Sequence, residues 1–282
     1  MEARELRASL RDFTRAAGGG LIIGLPLLYT MEIWFGGFLL PAWKILLLFG
    51  LAFAIVLGYN SIAGFRRERS AAQLLLDSVS TMGLGIAIAF VALLVLGRID
   101  HTTSLAEAAG KIGLEAIPVA FGASVAATQL GGEEIEHGGG VGPLERLIVG
   151  AGGALLFAMN VAPTEEIVLL GIGASPAELL VVVATTLLVT LGLVFYADFG
   201  GRSHVLGGDV LERPWSETLT SYAVSLGVAL LLLWAFGRTD GLAAGPLVGM
   251  IVMLGAVASV GAAIARMLVS GEGERGSRKG GT

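Results

Sequence analysis

Long apolar segments separated by short polar connections run through almost the whole chain. An α-helix needs about 20 apolar residues to cross the hydrocarbon core of a bilayer. Eight segments approach that length, so the pattern predicts eight transmembrane helices. The fourth is the least apolar because Lys111 and Glu115 interrupt it, and we expect it to need its neighbours in order to insert. The predicted segments are residues 18–38, 41–60, 74–97, 105–130, 147–170, 176–198, 217–236 and 245–269.

The composition also indicates an all-α bundle embedded in a membrane. Hydrophobic residues make up 55% of the chain and charged residues 15%, and the mean hydropathy is +0.81. A soluble domain of 282 residues could not bury that much apolar surface in one core. The 43 glycines are typical of transmembrane helices that approach one another closely. The absence of cysteine excludes disulfides and thiolate metal sites.

The distribution of basic residues predicts the orientation. They concentrate before the first segment, after the second, after the sixth and after the last. Cytoplasmic loops of membrane proteins are enriched in lysine and arginine, so eight crossings with cytoplasmic N- and C-termini place every cluster inside. The clusters contain Arg4, Arg7, Arg11, Arg15, Arg66, Arg67, Arg69, Arg202, Arg213, Arg275, Arg278 and Lys279.

The chain contains an imperfect internal repeat. Thr30-Met31-Glu32-Ile33 recurs as Thr164-Glu165-Glu166-Ile167, and Gly97-Arg98-Ile99-Asp100 recurs as Gly237-Arg238-Thr239-Asp240. Each copy would hold four transmembrane helices. An even number of crossings returns the chain to its starting side, so both copies would insert with the same orientation, as a 4+4 parallel repeat.

The repeat divides the chain into five regions. Before it, Leu6, Leu10 and Phe13 lie at helical spacing opposite the arginines, which predicts an amphipathic helix on the cytoplasmic leaflet. A simple positive-inside anchor is the alternative. The regions are the N-terminal helix at 1–17, the first repeat at 18–130, a glycine- and glutamate-rich cytoplasmic linker at 131–146, the second repeat at 147–270 and a flexible basic tail at 271–282.

Acidic residues inside apolar segments are the strongest functional candidates, because ionisable groups are costly in lipid. Glu32 and Glu166 occupy matching positions in the outer halves of their segments, and a two-fold relation of the copies could bring them together. Pro163 predicts a broken helix there and Pro26 loosens the first segment similarly. The alternative is a helix kink with acids that reach the outer interface. The predicted oxygen-rich ion or proton site comprises Glu32, Glu165, Glu166, Thr30, Thr164 and Asn160.

Lys111 and Glu115 form a second candidate in the fourth segment. Their spacing puts them on one helix face, where they could form an ion pair without any function. The alternative makes Glu115 a proton carrier and Lys111 a tethered cation that competes with the transported one. The second copy has Ile251 and Gly255 at the aligned positions.

Asp77 and Glu217 also match between the copies, each at the start of a segment on the predicted cytoplasmic side. Either they stabilise helix N-termini, or they form an inner cation vestibule with Asp198. Glycine should end the helices before the Gly-Arg-x-Asp motifs, and an Arg/Asp pair should fix each turn.

No sequence motif indicates an enzyme. A phosphate-binding loop and a dinucleotide fingerprint are missing. Intramembrane proteases of the Glu-Glu-x-x-x-Arg type need an arginine that Glu165-Glu166 lacks, since Leu169 and Leu170 follow instead. We therefore expect no catalysis, no cofactor and no nucleic-acid partner. The sequence does not indicate which metal ion, if any, the protein binds.

The eight-segment pattern and the stretch Ala162-Pro163-Thr164-Glu165-Glu166-Ile167 resemble a family of bacterial integral membrane proteins of unknown function. The resemblance covers nearly the whole chain. It implies a multi-pass protein of the bacterial cytoplasmic membrane, and it implies no activity and no site residue.

Three functions remain open from the sequence. The first is a secondary transporter or exchanger of a small cation or proton, in which Glu32, Glu165 and Glu166 bind the ion and Glu115 couples. The second is an ion channel made by a homo-oligomer through glycine-rich faces such as Gly20/Gly24 and Gly245/Gly249. The third is a scaffold or sensor that uses the N-terminal helix.

Overall fold

A computed structural model describes residues 2–63, 70–130, 143–199 and 214–270. Over these residues the chain is entirely α-helical, with ten helices and no strand. The helices are α1 (Glu2–Leu28), α2 (Met31–Leu39), α3 (Ala42–Ala63), α4 (Ala71–Val95), α5 (Leu105–Leu130), α6 (Pro143–Met159), α7 (Glu165–Gly173), α8 (Pro176–Phe199), α9 (Pro214–Ala235) and α10 (Ala244–Ser270).

Six of these helices are long and apolar enough to cross a membrane. They are α3, α4, α5, α8, α9 and α10, which correspond to six of the eight predicted segments. The other two predicted segments are interrupted, so each contains two helices. Among the six, α5 is the most buried inside the protein, as expected for the least apolar segment.

The interruption in the first segment follows Pro26. The helix α1 continues without a break from Glu2 to Leu28, so the amphipathic stretch and the first apolar segment form one element. The chain then bends by 82° into the short helix α2. In the fifth segment α6 ends at Met159 and α7 begins at Glu165, so the predicted break around Pro163 is present.

The chain divides into two compact units, Met1–Glu133 and Glu134–Thr282. Each unit contains a broken pair of helices followed by three long ones. The last helix of each unit is central: α5 contacts each of α1 to α4, and α10 contacts each of α6 to α9.

Glycine allows the backbones to touch where the broken pairs cross the central helix. Gly19 of α1 packs on Gly122 and Ala126 of α5, and Gly153 of α6 packs on Gly261 and Ala265 of α10. At each of these glycines an added Cβ would overlap the facing helix. The first unit therefore has a close α1/α5 contact of the small-residue type, and the second unit has the same contact between α6 and α10.

A second glycine contact holds the short helices in place. Gly37 of α2 lies against Gly110 of α5, and Gly171 of α7 lies against Gly249 of α10. These contacts correct the register of the repeat by one residue. Lys111 corresponds to Met250 rather than to Ile251, because each follows the contacting glycine of its central helix.

The Gly-Arg-x-Asp motifs end α4 and α9 as expected. Gly97 and Gly237 have φ angles of 64° and 71°. The amides of Arg98 and Arg238 donate to the carbonyls of Leu93 and Leu233, which is the hydrogen bond of a Schellman motif. An Arg/Asp pair is not what stabilises the first turn. Asp100 instead accepts hydrogen bonds from the amides and hydroxyls of Thr102 and Thr103.

The Asp100 turn should loosen in acid. Hydrogen bonds from the Thr102 side chain and amide, then from Thr103, lower the pKa of Asp100 from 3.8 to about 2. Because the folded pKa is the lower one, this stabilisation is present above pH 3.8 and is lost as the pH falls towards 2. Carboxyl NMR shifts of Asp100 should therefore titrate near 2, and the Thr102 amide should follow them unless Asp100 is replaced by Asn. A midpoint near 3.8 would contradict the turn.

Candidate functional site

Glu115 lies near the middle of α5, inside the first unit. Glu115 is 0% exposed, the lowest value of any acidic residue whose side chain the structure describes. Neither carboxylate oxygen has a hydrogen-bond partner within that part of the chain. Buried carboxyl groups are normally paired or hydrogen-bonded. Glu115 therefore differs from a buried polar residue whose hydrogen bonds link helices to one another.

The contacts of α5 place Glu115 at the level of the helix break. One turn after Glu115, Val119 packs on Gly20 and Gly24 of α1. One turn before it, Lys111 packs on Gly37 of α2. Glu115 thus lies between the contact with the end of α1 and the contact with α2.

Pro118 adds a second irregularity to α5 beside this carboxyl group. It lies inside the helix and has no amide hydrogen. The Leu114 carbonyl therefore lacks its usual helical donor. A carboxyl group and a weakened helical turn occur together in the helix that contacts all the others of its unit.

Lys111 and Glu115 do not form the ion pair that was one of the two alternatives. The Lys111 Nζ atom lies 2.5 Å from Glu107 Oε1 and donates to the Arg98 carbonyl at 2.9 Å. It also lies 5.8 Å from the centre of the Phe38 ring. Helical side chains lean towards the N-terminus, so Lys111 reaches back one turn to Glu107.

The central helix of the second unit, α10, has no carboxyl group at the position that matches Glu115. With the corrected register, Glu115 corresponds to Leu254 rather than to Gly255, and Leu254 is fully buried. The matching position in the other central helix is therefore apolar. Glu115 is not required to build a unit of this shape.

In the first unit the carbonyls at the helix break are used by the protein itself. The Thr30 hydroxyl donates to the Pro26 carbonyl at 2.6 Å, and the Trp34 indole donates to the Leu28 carbonyl at 3.0 Å. Arg98 lies 4.8 Å from the centre of the Trp34 ring. Glu32 is half-buried beside this break. Of the two predicted ligands at this break, the Thr30 hydroxyl donates its proton to a backbone carbonyl, whereas Glu32 is half-buried.

The break in the second unit is similar. Asn160 donates to the Leu156 carbonyl at 2.8 Å, and the Thr164 hydroxyl donates to the Val161 carbonyl at 2.9 Å. Arg238 donates to the Pro163 carbonyl. The Asn160 Oδ1 atom is buried without a partner within the described ranges. Here too the protein's own donors occupy carbonyls at the break.

The acids of this break are exposed. Glu165 and Glu166 form the first turn of α7 and both are accessible. Glu32 belongs to the first unit and Glu166 to the second, so their convergence stays a prediction.

The acids of the predicted inner vestibule belong to two different units, so their clustering stays a prediction. Glu217 forms salt bridges with Arg266 and, at 3.6 Å, with Arg146, so its charge is already compensated. Asp77 is exposed. It does not cap α4 either, because Ser70 and Gln73 form the capping box there. The side chain of Asp198 lies outside the residues whose side chains are described.

Buried polar groups without charge were missed by the sequence interpretation. Asn60 donates to Ser78 at 3.1 Å and accepts from Ser124 at 2.6 Å, which links α3, α4 and α5. In the second unit Thr190 and Ser259 are 2.8 Å apart and fully buried. Their only signal was a hydroxyl or amide in an apolar run, which does not distinguish a buried position from a lipid-facing one.

The glycine faces proposed for oligomers are largely used within the units. Gly20 and Gly24 pack on Val119, and Gly249 packs on Gly171. Of these four glycines, only Gly245 has no atom within 4 Å of the position that an added Cβ would occupy. Three of these glycines therefore cannot serve an interface between copies without unpacking their own unit.

One comparison identifies the family. Residues 12–269, most of the chain, match the model of the DUF2391 family, which is described as an integral membrane protein family. No curated protein and no solved structure matches the chain. The family model covers all six helices that are long and apolar enough to cross a membrane. The chain is a multi-pass integral membrane protein that belongs to the DUF2391 family.

Proposed function

We propose that this protein is a proton-coupled secondary transporter or exchanger of a small cation, with Glu115 as the group that binds and releases the proton. We also propose that it lies in the bacterial cytoplasmic membrane with eight crossings and cytoplasmic termini. In this arrangement α1 and α6 cross the bilayer, while α2 and α7 lie at the outer surface.

The observation that carries the proposal is the buried carboxyl group of Glu115, which has no hydrogen-bond partner in the part of the chain that the structure describes. An ionised carboxylate in an apolar interior costs several kcal/mol, on the order of 3 near the centre of a membrane helix. The neutral carboxyl group avoids this cost, and we assign the protonated form to Glu115 in this conformation. An inward or outward movement that admits water would let it ionise, which is the requirement for a proton carrier.

The surroundings of Glu115 suit such a movement. Its helix contacts every other helix of the unit, so a shift of α5 changes the whole unit. Pro118 weakens α5 at this level. The break between α1 and α2 provides a hinge beside it.

The acids at the helix breaks complete the proposal on the outer side. Glu32, Glu165 and Glu166 are at least partly accessible, and they would attract cations to the outer side of their own units. Glu165 and Glu166 lie in the first turn of α7, where the helix dipole favours acidic side chains. Their role is attraction and first binding, and Glu115 couples that binding to proton movement.

Proton flux into proteoliposomes tests the function. Purified protein is reconstituted with a pH-sensitive dye inside the vesicles, and gradients of Li⁺, Na⁺, K⁺, Mg²⁺ or Ca²⁺ are imposed in turn. The wild type should move protons in response to one of these cations, and Glu115→Gln should abolish the response. Glu145→Gln, an exposed acid in the first turn of α6, is the matched control and should leave the flux unchanged.

Two outcomes would contradict the proposal. Equal proton flux in wild type and Glu115→Gln would remove Glu115 as the carrier. No flux in the wild type with any cation of the series would favour the scaffold or sensor over a transporter.

A further inference from the structure

Three ionisable residues follow one another along α5 at intervals of one turn, so they lie on one face of the helix. They are Glu107, Lys111 and Glu115. In the second unit all three positions are replaced together by residues that cannot carry a charge. A unit of this shape can therefore be built without the charged set. With the register given by the glycine contacts, the matching residues of α10 are Pro246, Met250 and Leu254.

Burial increases along this face from the first turn of α5 towards its middle. The side chains of Glu107 and Lys111 are 32% and 10% exposed, and Glu115 is fully buried. Glu107 is thus the member of the set that water reaches. The ammonium group of Lys111 pairs with this accessible acid, while the deeper acid has no hydrogen-bond partner among the described residues.

Lys111 lies one turn from each of the two acids. Its ammonium group is 2.5 Å from Glu107 Oε1 and donates to the Arg98 carbonyl at 2.9 Å. On a helix the order glutamate then lysine, four residues apart, is more favourable than the reverse. A neutral Glu115 offers the ammonium group no charge. The pair with Glu107 is therefore the expected one as long as Glu115 is protonated.

The loss of the Glu115 proton changes this balance. A buried carboxylate needs a counter-ion, whereas water can solvate the accessible Glu107 when its lysine leaves. Helical side chains lean towards the N-terminus, so the Glu115 carboxyl group leans towards the turn that holds Lys111. The long lysine side chain needs only to rotate from one neighbouring turn to the other.

We infer that Lys111 exchanges partners, from Glu107 while Glu115 is protonated to Glu115 once the proton has left to water. This inference rests on the proposed function, because it takes Glu115 as the group that releases the proton. Glu107 is then a positioning residue, which holds the ammonium group one turn away from Glu115 until that proton leaves. No metal cation is needed to neutralise Glu115, so the transported cation binds elsewhere.

The exchange also connects proton release to the broken helix. When Lys111 moves to Glu115, the Arg98 carbonyl loses its donor. The guanidinium group of Arg98 lies 4.8 Å from the centre of the Trp34 ring on α2. Proton release therefore loosens the segment that links the end of α4 to α2.

Most other charged groups on the helices around α5 are unsuited to be the counter-ion. Arg15 of α1 and Asp77 of α4 lie at the level of Ser124 or beyond, more than two turns from Glu115. Glu32 of α2 has the same sign as an ionised Glu115.

Lys44 of α3 is the one rival among the described residues of these helices. It is 8% exposed, and the next residue, Ile45, contacts the position of an added Cβ at Gly113 of α5. Its Nζ atom lies 5.9 Å from the centre of the Trp43 ring. Because it is a buried lysine outside the charged face of α5, Lys44 provides a matched control.

Infrared spectroscopy of the Glu115 carboxyl group tests the exchange. The protonated carboxyl band, assigned by its loss in Glu115→Gln, is followed in nanodiscs as the pH is raised. Lys111→Met removes the counter-ion, so the band should persist to a pH higher by about one unit or more. Glu107→Gln releases the lysine from its first partner, so the band should disappear at a lower pH than in the wild type. A lysine that only holds helices together would not produce shifts of opposite sign.

Lys44→Met should leave the band at its wild-type pH. If Lys111→Met does not fold, Glu107→Gln still tests the exchange, because it keeps the size of an accessible side chain. Equal behaviour of the wild type, Lys111→Met and Glu107→Gln would overturn the inference. A shift in Lys44→Met alone would do the same, and so would a band that persists at every pH in Glu107→Gln.

Proton flux separates this inference from the proposed function. If Glu115→Gln abolishes flux but the band does not shift in the two variants, only the partner exchange is wrong. If the band shifts as expected but Glu115→Gln retains the flux, the exchange occurs and the transport role of Glu115 is wrong.

Discussion

Glu115→Leu should make the protein more stable and abolish its proton flux. The carboxyl group is fully buried and has no hydrogen-bond partner among the described residues, and the second unit has the fully buried Leu254 at the matching position. Burying a polar group without a partner costs about 1–3 kcal/mol in mutational studies, and leucine avoids that cost. The apparent melting temperature in lipid nanodiscs should rise by about 2–4 °C for each kcal/mol gained.

The control for this experiment is the neighbouring acid that does have a partner. Glu107 pairs with Lys111, which is itself 8% exposed. Glu107→Leu leaves the lysine without its carboxylate and should lower the melting temperature. If Glu115→Leu destabilises the protein as much as Glu107→Leu does, Glu115 has a structural partner. If Glu115→Leu is stable and still moves protons, the proposed coupling role is wrong.

A gain in stability together with a loss of flux would have one physical explanation. A residue that only builds the fold stabilises it, so its replacement by a residue of similar size lowers stability. A residue that is kept for function can oppose stability, because the protein needs the group more than it needs the packing. The comparison of Glu115 with Leu254 makes this test possible inside a single chain.

The helices were largely predictable because hydrophobic length and terminal residues determine them. The fourth predicted segment, 105–130, has the bounds of α5, and glycine ends α4 at Gly97 as expected. The break near Pro163 was also predictable, since proline removes a backbone donor. Each of these features depends on residues that are close together in the chain.

Features that depend on contacts between helices were not predictable. The repeat was aligned one residue too late in its last helix, because the register is determined by Gly37 on Gly110 and Gly171 on Gly249. Spacing put Lys111 and Glu115 on one face, but it could not reveal that Glu107 and the Arg98 carbonyl hold the lysine.

The polar residues inside the units were also only partly predictable from the sequence. Glu115 was singled out because a charged residue inside an apolar run is conspicuous. Ser221 and Tyr222 were not, because hydroxyls are common in membrane helices and often bind their own backbone. Only the packing shows that these two donors are buried without an acceptor within the described ranges. Charge is visible in a sequence, whereas an unmet hydrogen bond is a property of the fold.

Gly110→Ala should have the largest effect on folding of any single methyl group added to α5. A Cβ at Gly110 would overlap the carbonyl oxygen of Gly37, and a Cβ at Gly37 would lie 2.6 Å from the backbone nitrogen of Lys111. The obstacle is backbone on both sides, so no side chain can rotate to make room. Overpacking of this kind costs about 3 kcal/mol or more. Gly249→Ala should cost a similar amount, because the second unit has the same contact with Gly171.

Glycines that face open space provide the matched controls. Gly50, Gly83 and Gly192 lie inside helices with no atom within 4 Å of an added Cβ. Alanine at these positions should be neutral or stabilising by up to about 1 kcal/mol, because it favours the helix. Thermal unfolding of the five single variants in nanodiscs makes the comparison. A wild-type melting temperature for Gly110→Ala would contradict the close contact.

The same substitution connects the fold to the proposed function. The Gly37–Gly110 contact positions α2 one turn from Glu115, at the hinge between α1 and α2. Gly110→Ala forces α2 away from α5 and should abolish proton flux even where folded protein is recovered. Gly249→Ala alters a unit whose central helix has Leu254 in place of the carboxyl group, so any folded protein should retain proton flux. If both variants lose flux while folded, proton movement does not depend on the first unit alone, and coupling must involve the broken helix of each unit.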